Sequence, residues 1–124
     1  ISKITYIKKT KNKIFVILDC AMNDFLRPAL YGAKHEILPT VKNSKKIKKT
    51  TEFVGPICET TDTFLKLSKF QSIKEGDNIA ILNTGAYGMS LSSNYNVRPM
   101  PIEILIKNKK SSVILKRQKL NEIT

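Results

Sequence analysis

The stretch ITYIKKTKNKIFVILDC, residues Ile4 to Cys20, decides the fold class. Two runs rich in β-branched and aromatic residues, Ile4 to Lys8 and Ile14 to Cys20, flank the polar segment Lys9-Thr10-Lys11-Asn12-Lys13. Such runs suit a pleated, half-buried surface, and a short polar break between two of them predicts a β-hairpin. The same pattern recurs along the chain. Further strands are expected around Lys34 to Leu38, Glu52 to Ile57, Asn78 to Leu82, Ile102 to Lys107 and Ser112 to Arg117. Lys74-Glu75-Gly76-Asp77 reads as a turn, and Asn108-Lys109-Lys110 as a hairpin tip. About seven short strands predict an all-β domain, a small antiparallel barrel or sandwich with short helical or irregular segments. The alternation fails between Met22 and Tyr31, where Asn23 or Asp24 could cap a short helix or turn that Pro28 interrupts. The stretch Lys42 to Lys49 is almost purely basic and polar and reads as a solvated loop without chemistry.

A length of 124 residues fits a single domain, residues 1–124, and at 41% hydrophobic and 26% charged the chain carries enough apolar surface to fold. No apolar run approaches the ~20 residues of a membrane span, and no membrane partner is expected. The start, Ile1-Ser2-Lys3-Ile4, has no signal-peptide pattern and reads as a cut point. Lys and Arg number 22 against 10 Asp and Glu, a net charge of +12 that would suit a single-stranded nucleic acid bound on a basic β-barrel. That alternative lacks support from residue type. The excess is almost all Lys, scattered among Ile and Asn, and Arg27, Arg98 and Arg117 are the only Arg, whereas nucleic-acid modules favour Arg forks and aromatic platforms. A compositional preference for Lys, Ile and Asn gives the same charge, so nucleic acid is not the expected partner. Two cysteines, Cys20 and Cys58, form neither a disulfide framework nor a metal-binding pair, and a reducing cytoplasm is expected.

Four clusters exceed what a plain β scaffold needs: Met22 to Tyr31, Gly55 to Glu59, Thr84 to Gly88, and Ser92 to Pro99. Arg27 and Tyr31 stand four apart, so one helical turn would set guanidinium and phenol on the same face, either as a carboxylate grip or as a surface Arg beside a packed Tyr. Cys58 follows Gly55-Pro56 at the end of an apolar run. A thiol is mostly protonated at neutral pH, so it can donate a proton as well as attack; a buried structural Cys is the other reading. A nucleophilic Cys would want a His partner, and the only one is His35, in an expected strand. Tyr87 lies between Gly85 and Gly88, which would let the backbone approach a ligand closely while the phenol reaches it. No phosphate-loop or metal-ligand motif is present.

Taken in order, MNDFLRPALYGAKHEI (residues 22–37), VGPICETTD (54–62) and GAYGMSLSSNYNVRP (85–99) resemble the C-terminal β domain of the diaminopimelate decarboxylases, pyridoxal-phosphate enzymes of the alanine-racemase-like group. The resemblance extends from about Ile4 to Arg117. It implies an N-terminal (β/α)8 barrel carrying the cofactor lysine, which these residues do not supply, so the domain by itself is expected to be inactive. It further implies that Arg27 and Tyr31 hold a substrate carboxylate, that Cys58 is the acid protonating the carbon that has lost CO2, and that Glu59 contacts the distal amino-acid end. Tyr87 then lies near pyridoxal 5'-phosphate and substrate. Cys58 would reach into a neighbouring subunit's site, making a homodimer obligatory. Glu59 after Cys58, where related ornithine and arginine decarboxylases commonly have Asp, implies meso-diaminopimelate as substrate and L-lysine as product. Cys20, in place of a smaller residue, and Leu91-Ser92, in place of a bulkier stretch, depart from the family. The tail Leu120 to Thr124 resembles a shortened terminal helix.

Overall fold

A computed structural model describes residues 1–123. Strand β1 (Ser2–Lys9) turns into β2 (Lys13–Leu18), and the amide and hydroxyl of Thr10 both donate to the Lys13 carbonyl at 2.9 Å to close the hairpin. Ile14, Val16 and Leu18 point inward in strict alternation, as a strand with one buried face requires. The β1–β2 register slips between Ile4 and Tyr6, which buries Ile4, leaves Tyr6 in solvent and returns Ile7 toward the core. Downstream come α1 (Arg27–Tyr31), β3 (Ile37–Pro39), β4 (Lys46–Ile47), β5 (Thr50–Val54), β6 (Thr63–Leu67), β7 (Phe70–Gln71) and β8 (Asn78–Ile81). The last strands are β9 (Glu103–Lys107) and β10 (Lys110–Leu115). Six strands, in the order β3-β8-β1-β2-β5-β6, make one nearly closed, barrel-like sheet. Its interior holds Ile4, Val16, Leu18, Phe53 and Ile79 out of contact with water, and Phe53 meets Phe70 edge to face at 5.0 Å. Truncating a ring such as Phe53 to Ala would cost about 3–5 kcal/mol in lost burial and an unfilled cavity.

One pairing sets the functional layout. Strands β2 and β5 run parallel, from Lys13 opposite Thr50 to Ile17 opposite Val54. Parallel neighbours point the same way, so the segments that leave them, 19–26 and 55–62, emerge together at one end of the barrel. The lysine-rich approaches to both strands meet at the other end, where Lys49 Nζ donates to the Thr10 carbonyl at 2.9 Å.

The expected small all-β domain is present, with several differences of detail. The sheet is antiparallel except at β2–β5. Strand β6 is additional to those the sequence predicts, as are β4 and β7, two-residue strands too short to leave a period. The basic stretch Lys42 to Lys49 therefore contains β4, paired with β7 and pinned through buried Gln71, whose amide donates to the Val41 carbonyl at 2.7 Å and accepts from the Asn43 amide at 3.0 Å. The strand expected from Lys34 begins only at Ile37, which leaves His35 outside it. Pro28 opens α1 rather than interrupting it, since a proline in the first turn has no amide bond to lose, and Asn23 and Asp24 form the turn before the helix rather than its cap. The β9–β10 hairpin forms a separate exposed ribbon, and Asn108 and Lys109 at its tip adopt φ of 51° and 61°, the left-handed pair that a tight two-residue turn demands.

Candidate active site

Helix α1 carries Arg27 and Tyr31 on one face. The Arg27 guanidinium carbon lies 5.8 Å from the centre of the Tyr31 ring and 5.8 Å from that of Tyr87. The cation is thus framed by two phenols from segments that the sequence separates by more than fifty positions. Gly32, at φ 63°, ends the helix by sending its amide back to the Pro28 carbonyl at 3.0 Å, which turns the chain away after Tyr31. Tyr31 and Tyr87 remain 64% and 69% exposed, so the grouping opens outward and can accept a carboxylate from solution. At the GAYG segment the left-handed residue is Tyr87 itself, at φ 62°, and neither Gly85 nor Gly88 has positive φ. The expected use of the glycines is therefore corrected. Gly88 is needed because a side chain there would run into the Thr84 carbonyl, and the strained backbone falls on the tyrosine whose phenol is displayed.

Cys58 and Glu59 sit on the loop between β5 and β6, both exposed. With Pro56, Ile57, Asn96 and Arg98 they line a recess of about 340 Å³. The Tyr95 hydroxyl donates to Glu59 Oε1, and this bond, with the nearby carboxylate charge, pushes the phenol's pKa up. Asn96 and Val97, which follow, both take positive φ, 57° and 56°. A left-handed β-branched residue is rare, and here it accompanies a segment held against the Cys58 loop. Neither Arg27, Tyr31 nor Tyr87 lines the Cys58 recess, so the domain presents two groups of candidate residues rather than one.

Two carboxylates, buried Asp62 and half-buried Asp24, tie these groups to the barrel. Asp62 accepts the Met22 amide at 2.7 Å and the Ile57 amide at 2.8 Å; burial pushes its pKa up against the pull of those donors. Asp24 accepts the Ala21 amide at 2.7 Å and faces Arg98 at 3.6 Å, and burial raises it as well. Arg98 Nη2 also donates to the Asp19 carbonyl at 2.5 Å, and the Ser93 amide donates to the Asn23 carbonyl at 3.0 Å, so the 85–99 segment is stitched onto the 19–26 loop. Asp24, Asp62, Tyr95 and Arg98 all lie inside the 22–37, 54–62 and 85–99 motifs, but which atoms they hold is set by how distant loops pack. His35 is not a partner for Cys58: its ring packs edge-on against Phe25 at 4.7 Å, and its Nδ1 lies 3.0 Å from the Leu82 carbonyl. Both cysteines are free; Cys20 is half-buried, and burial pushes its thiol pKa to about 12. Among the described residues no group of three or more His, Cys, Asp or Glu is arranged to hold a metal ion.

The family model for the pyridoxal-dependent decarboxylase C-terminal sheet domain matches residues 1–85. The chain belongs to this family. Within the decarboxylase family its similarity is to diaminopimelate decarboxylases: that of Helicobacter pylori is 45% identical over 123 residues, and that of Vibrio cholerae 39%. The solved diaminopimelate decarboxylase of H. pylori in complex with L-lysine matches with a TM-score of 0.88 at 44% identity, over 98% of this chain and 29% of that one. That of M. jannaschii, also with L-lysine, matches with a TM-score of 0.92 at 33% identity, over 98% and 28%. The chain spans 99% of its own length but 30% of the length of the H. pylori relative, so what it shares with these decarboxylases is their sheet domain. A lysine/ornithine decarboxylase from Vibrio vulnificus shares the fold at 15% identity and a TM-score of 0.66. No helix among the described residues is long and apolar enough to cross a membrane.

Membership makes pyridoxal phosphate the relevant cofactor, and the residues present fit part of its enclosure. An outward-held phenol beside a guanidinium suits one edge of an anionic aromatic ligand.

Proposed function

We propose that residues 1–124 are the C-terminal sheet domain of a cytoplasmic diaminopimelate decarboxylase that converts meso-2,6-diaminopimelate into L-lysine and CO2. A (β/α)8 barrel elsewhere in the protein carries the cofactor lysine. The observation that carries the reading is the Arg27 guanidinium framed by the Tyr31 and Tyr87 rings, an exposed cationic seat in a chain 45% identical to a diaminopimelate decarboxylase.

Pyridoxal phosphate, when bound, supplies the electron sink that makes loss of CO2 from an amino acid possible. This domain's residues hold the rest of the substrate and finish the reaction. Arg27 and Tyr31 grip a substrate carboxylate, guanidinium to carboxylate and phenol to oxygen. Tyr87 borders cofactor and substrate. Glu59, its carboxylate steadied by Tyr95, faces the distal ammonium, and that charge pairing favours a substrate with a second amino-acid end over one without. When the carbon–carboxylate bond breaks, CO2 departs and its bonding pair stays with the substrate. Cys58 gives its Sγ proton to the carbon left behind, and the resulting thiolate takes a proton back from water. Cys58 serves the site of the second subunit of a homodimer, a reading supported by its recess, which Arg27 does not line. The test is product analysis with the full-length protein and pyridoxal phosphate. Equal amounts of L-lysine and CO2 from meso-diaminopimelate, with little turnover of L-ornithine or L-arginine, are expected. Preference for either of those substrates would overturn the assignment.

A further inference from the structure

Asp62 has no part in the chemistry above, yet it is 1% exposed and spends both carboxylate oxygens on backbone amides of two different loops. Oδ1 accepts from Met22, at the head of the segment that delivers Arg27 and Tyr31; Oδ2 accepts from Ile57, next to Cys58. The Asp62 backbone closes the same loop, since its carbonyl accepts the Gly55 amide at 2.9 Å and its own amide donates to the Glu59 carbonyl at 3.1 Å. Gly55 completes the arrangement: a side chain there would strike the Asp62 carboxylate, so glycine is required for the carboxylate to occupy its place. A hydroxyl or an aliphatic side chain could not do this work. Only an ionised carboxylate offers two acceptor oxygens and no donor, and the two amides here each take one of them.

We propose that Asp62 is a positioning residue that sets the Arg27–Tyr31 seat and the Cys58–Glu59 loop relative to each other, so that one side chain governs substrate grip and proton delivery together. The proposal rests on the decarboxylase reading for its kinetic consequence and on geometry alone for its structural one. In a homodimer with shared sites it has an additional meaning: the Arg27 seat serves one site and Cys58 the other, so Asp62 joins the two active sites through a single carboxylate.

The decisive substitution is Asp62→Asn in the full-length protein, since it keeps the shape, keeps one acceptor and sets an amide NH2 donor against a backbone N–H in place of the other. Three measurements apply. Amide hydrogen exchange at Met22 or Ile57 should accelerate roughly tenfold or more while core amides of β2 and β5 stay slow, as the loss of one of the two hydrogen bonds requires. The rate of Cys58 alkylation should change while cofactor absorbance does not. Turnover should show a lower kcat together with a higher KM, each by about tenfold, whereas a change at Arg27 alone moves chiefly KM and one at Cys58 chiefly kcat. Asp62→Glu, which does not fit beside Gly55, should fail to rescue. A folded Asp62→Asn protein whose two amides exchange at the original rate, or whose kcat and KM are both unchanged, would overturn the proposal. If the unmodified protein released no CO2 from diaminopimelate, the proposed function would fall, while exchange and alkylation would still decide whether Asp62 holds the two loops.

Discussion

The two ends of the parallel pair β2–β5 are built from the same strands and differ in almost everything else. At the end where the strands finish, the 19–26 and 55–62 segments are fastened by the Asp24 and Asp62 carboxylates, a left-handed tyrosine and a stitched-on 85–99 segment. At the end where they start, the hairpin tip and the Lys42–Lys49 stretch carry exposed lysines, and no acidic residue occurs in 1–18 or 37–51. Charge is therefore concentrated at the loosely held end, and the candidate site residues at the end where backbone amides and strained dihedrals have fixed partners. A net charge of +12 is a poor guide to function here; the constrained loops are the better one.

The largest contrast should come from substitutions at the fastened end of the full-length protein. Cys58→Ala should lower kcat by about 10²- to 10⁴-fold with cofactor occupancy unchanged, as the loss of a general acid does. Arg27→Ala should instead raise KM by roughly 30-fold, about 2 kcal/mol of lost carboxylate pairing. Steady-state kinetics beside an absorbance measure of bound cofactor separates the two, and equal effects of both changes on KM would erase the distinction between acid and grip.

A smaller effect concerns the two cysteines at that end. Cys20 is pushed up to about 12 from the usual 9.0, chiefly by burial, so the folded protein keeps a proton that the unfolded chain releases near pH 9. The unfolded state then binds fewer protons, and stability should fall as pH rises from about 9 toward 12. Denaturant melts at pH 8, 9 and 10 should show that decline, and Cys20→Ala should flatten it. In the same pH range exposed Cys58 should alkylate readily and Cys20 slowly; comparable rates would show that Cys20 is not shielded.

The loosely held end should give the smallest response. Replacing Lys48 and Lys49 by Ser removes one exposed bond, from Lys49 to the Thr10 carbonyl, and should change unfolding free energy by about 0.5 kcal/mol or less with turnover intact. A large loss of turnover in that variant would move function to the lysine end and break the comparison.

Much of the fold can be read from residue order, because the Ile4–Cys20 hairpin, the Gly76 turn and the Asn108-Lys109 tip declare themselves locally. The β2–β5 pairing cannot: the partners are more than thirty residues apart, and nothing within either strand says that they run parallel. Strands β4 and β7 are invisible for a different reason, since two residues hold no period. The candidate site divides the same way. Arg27, Tyr31, Cys58, Glu59 and Tyr87 stand in motifs that a resemblance can mark, whereas the meeting of Arg27 with both Tyr31 and Tyr87 is a product of the fold. Asp62 and Tyr95 lie within the same motifs, but their parts depend on which amide or carboxylate they meet, and that is settled by the packing of distant loops.

The central claim is that each domain contributes two half-sites to two different active sites. Co-expression of full-length Arg27→Ala and Cys58→Ala subunits tests it directly, because a mixed dimer would have one site with both residues intact and one with neither. With random pairing the mixture should recover about a quarter of the unsubstituted activity, far above either variant alone, since half the dimers then carry one working site of two. Activity no greater than the average of the two single variants would contradict the shared-site account and place Arg27 and Cys58 in the same subunit's site.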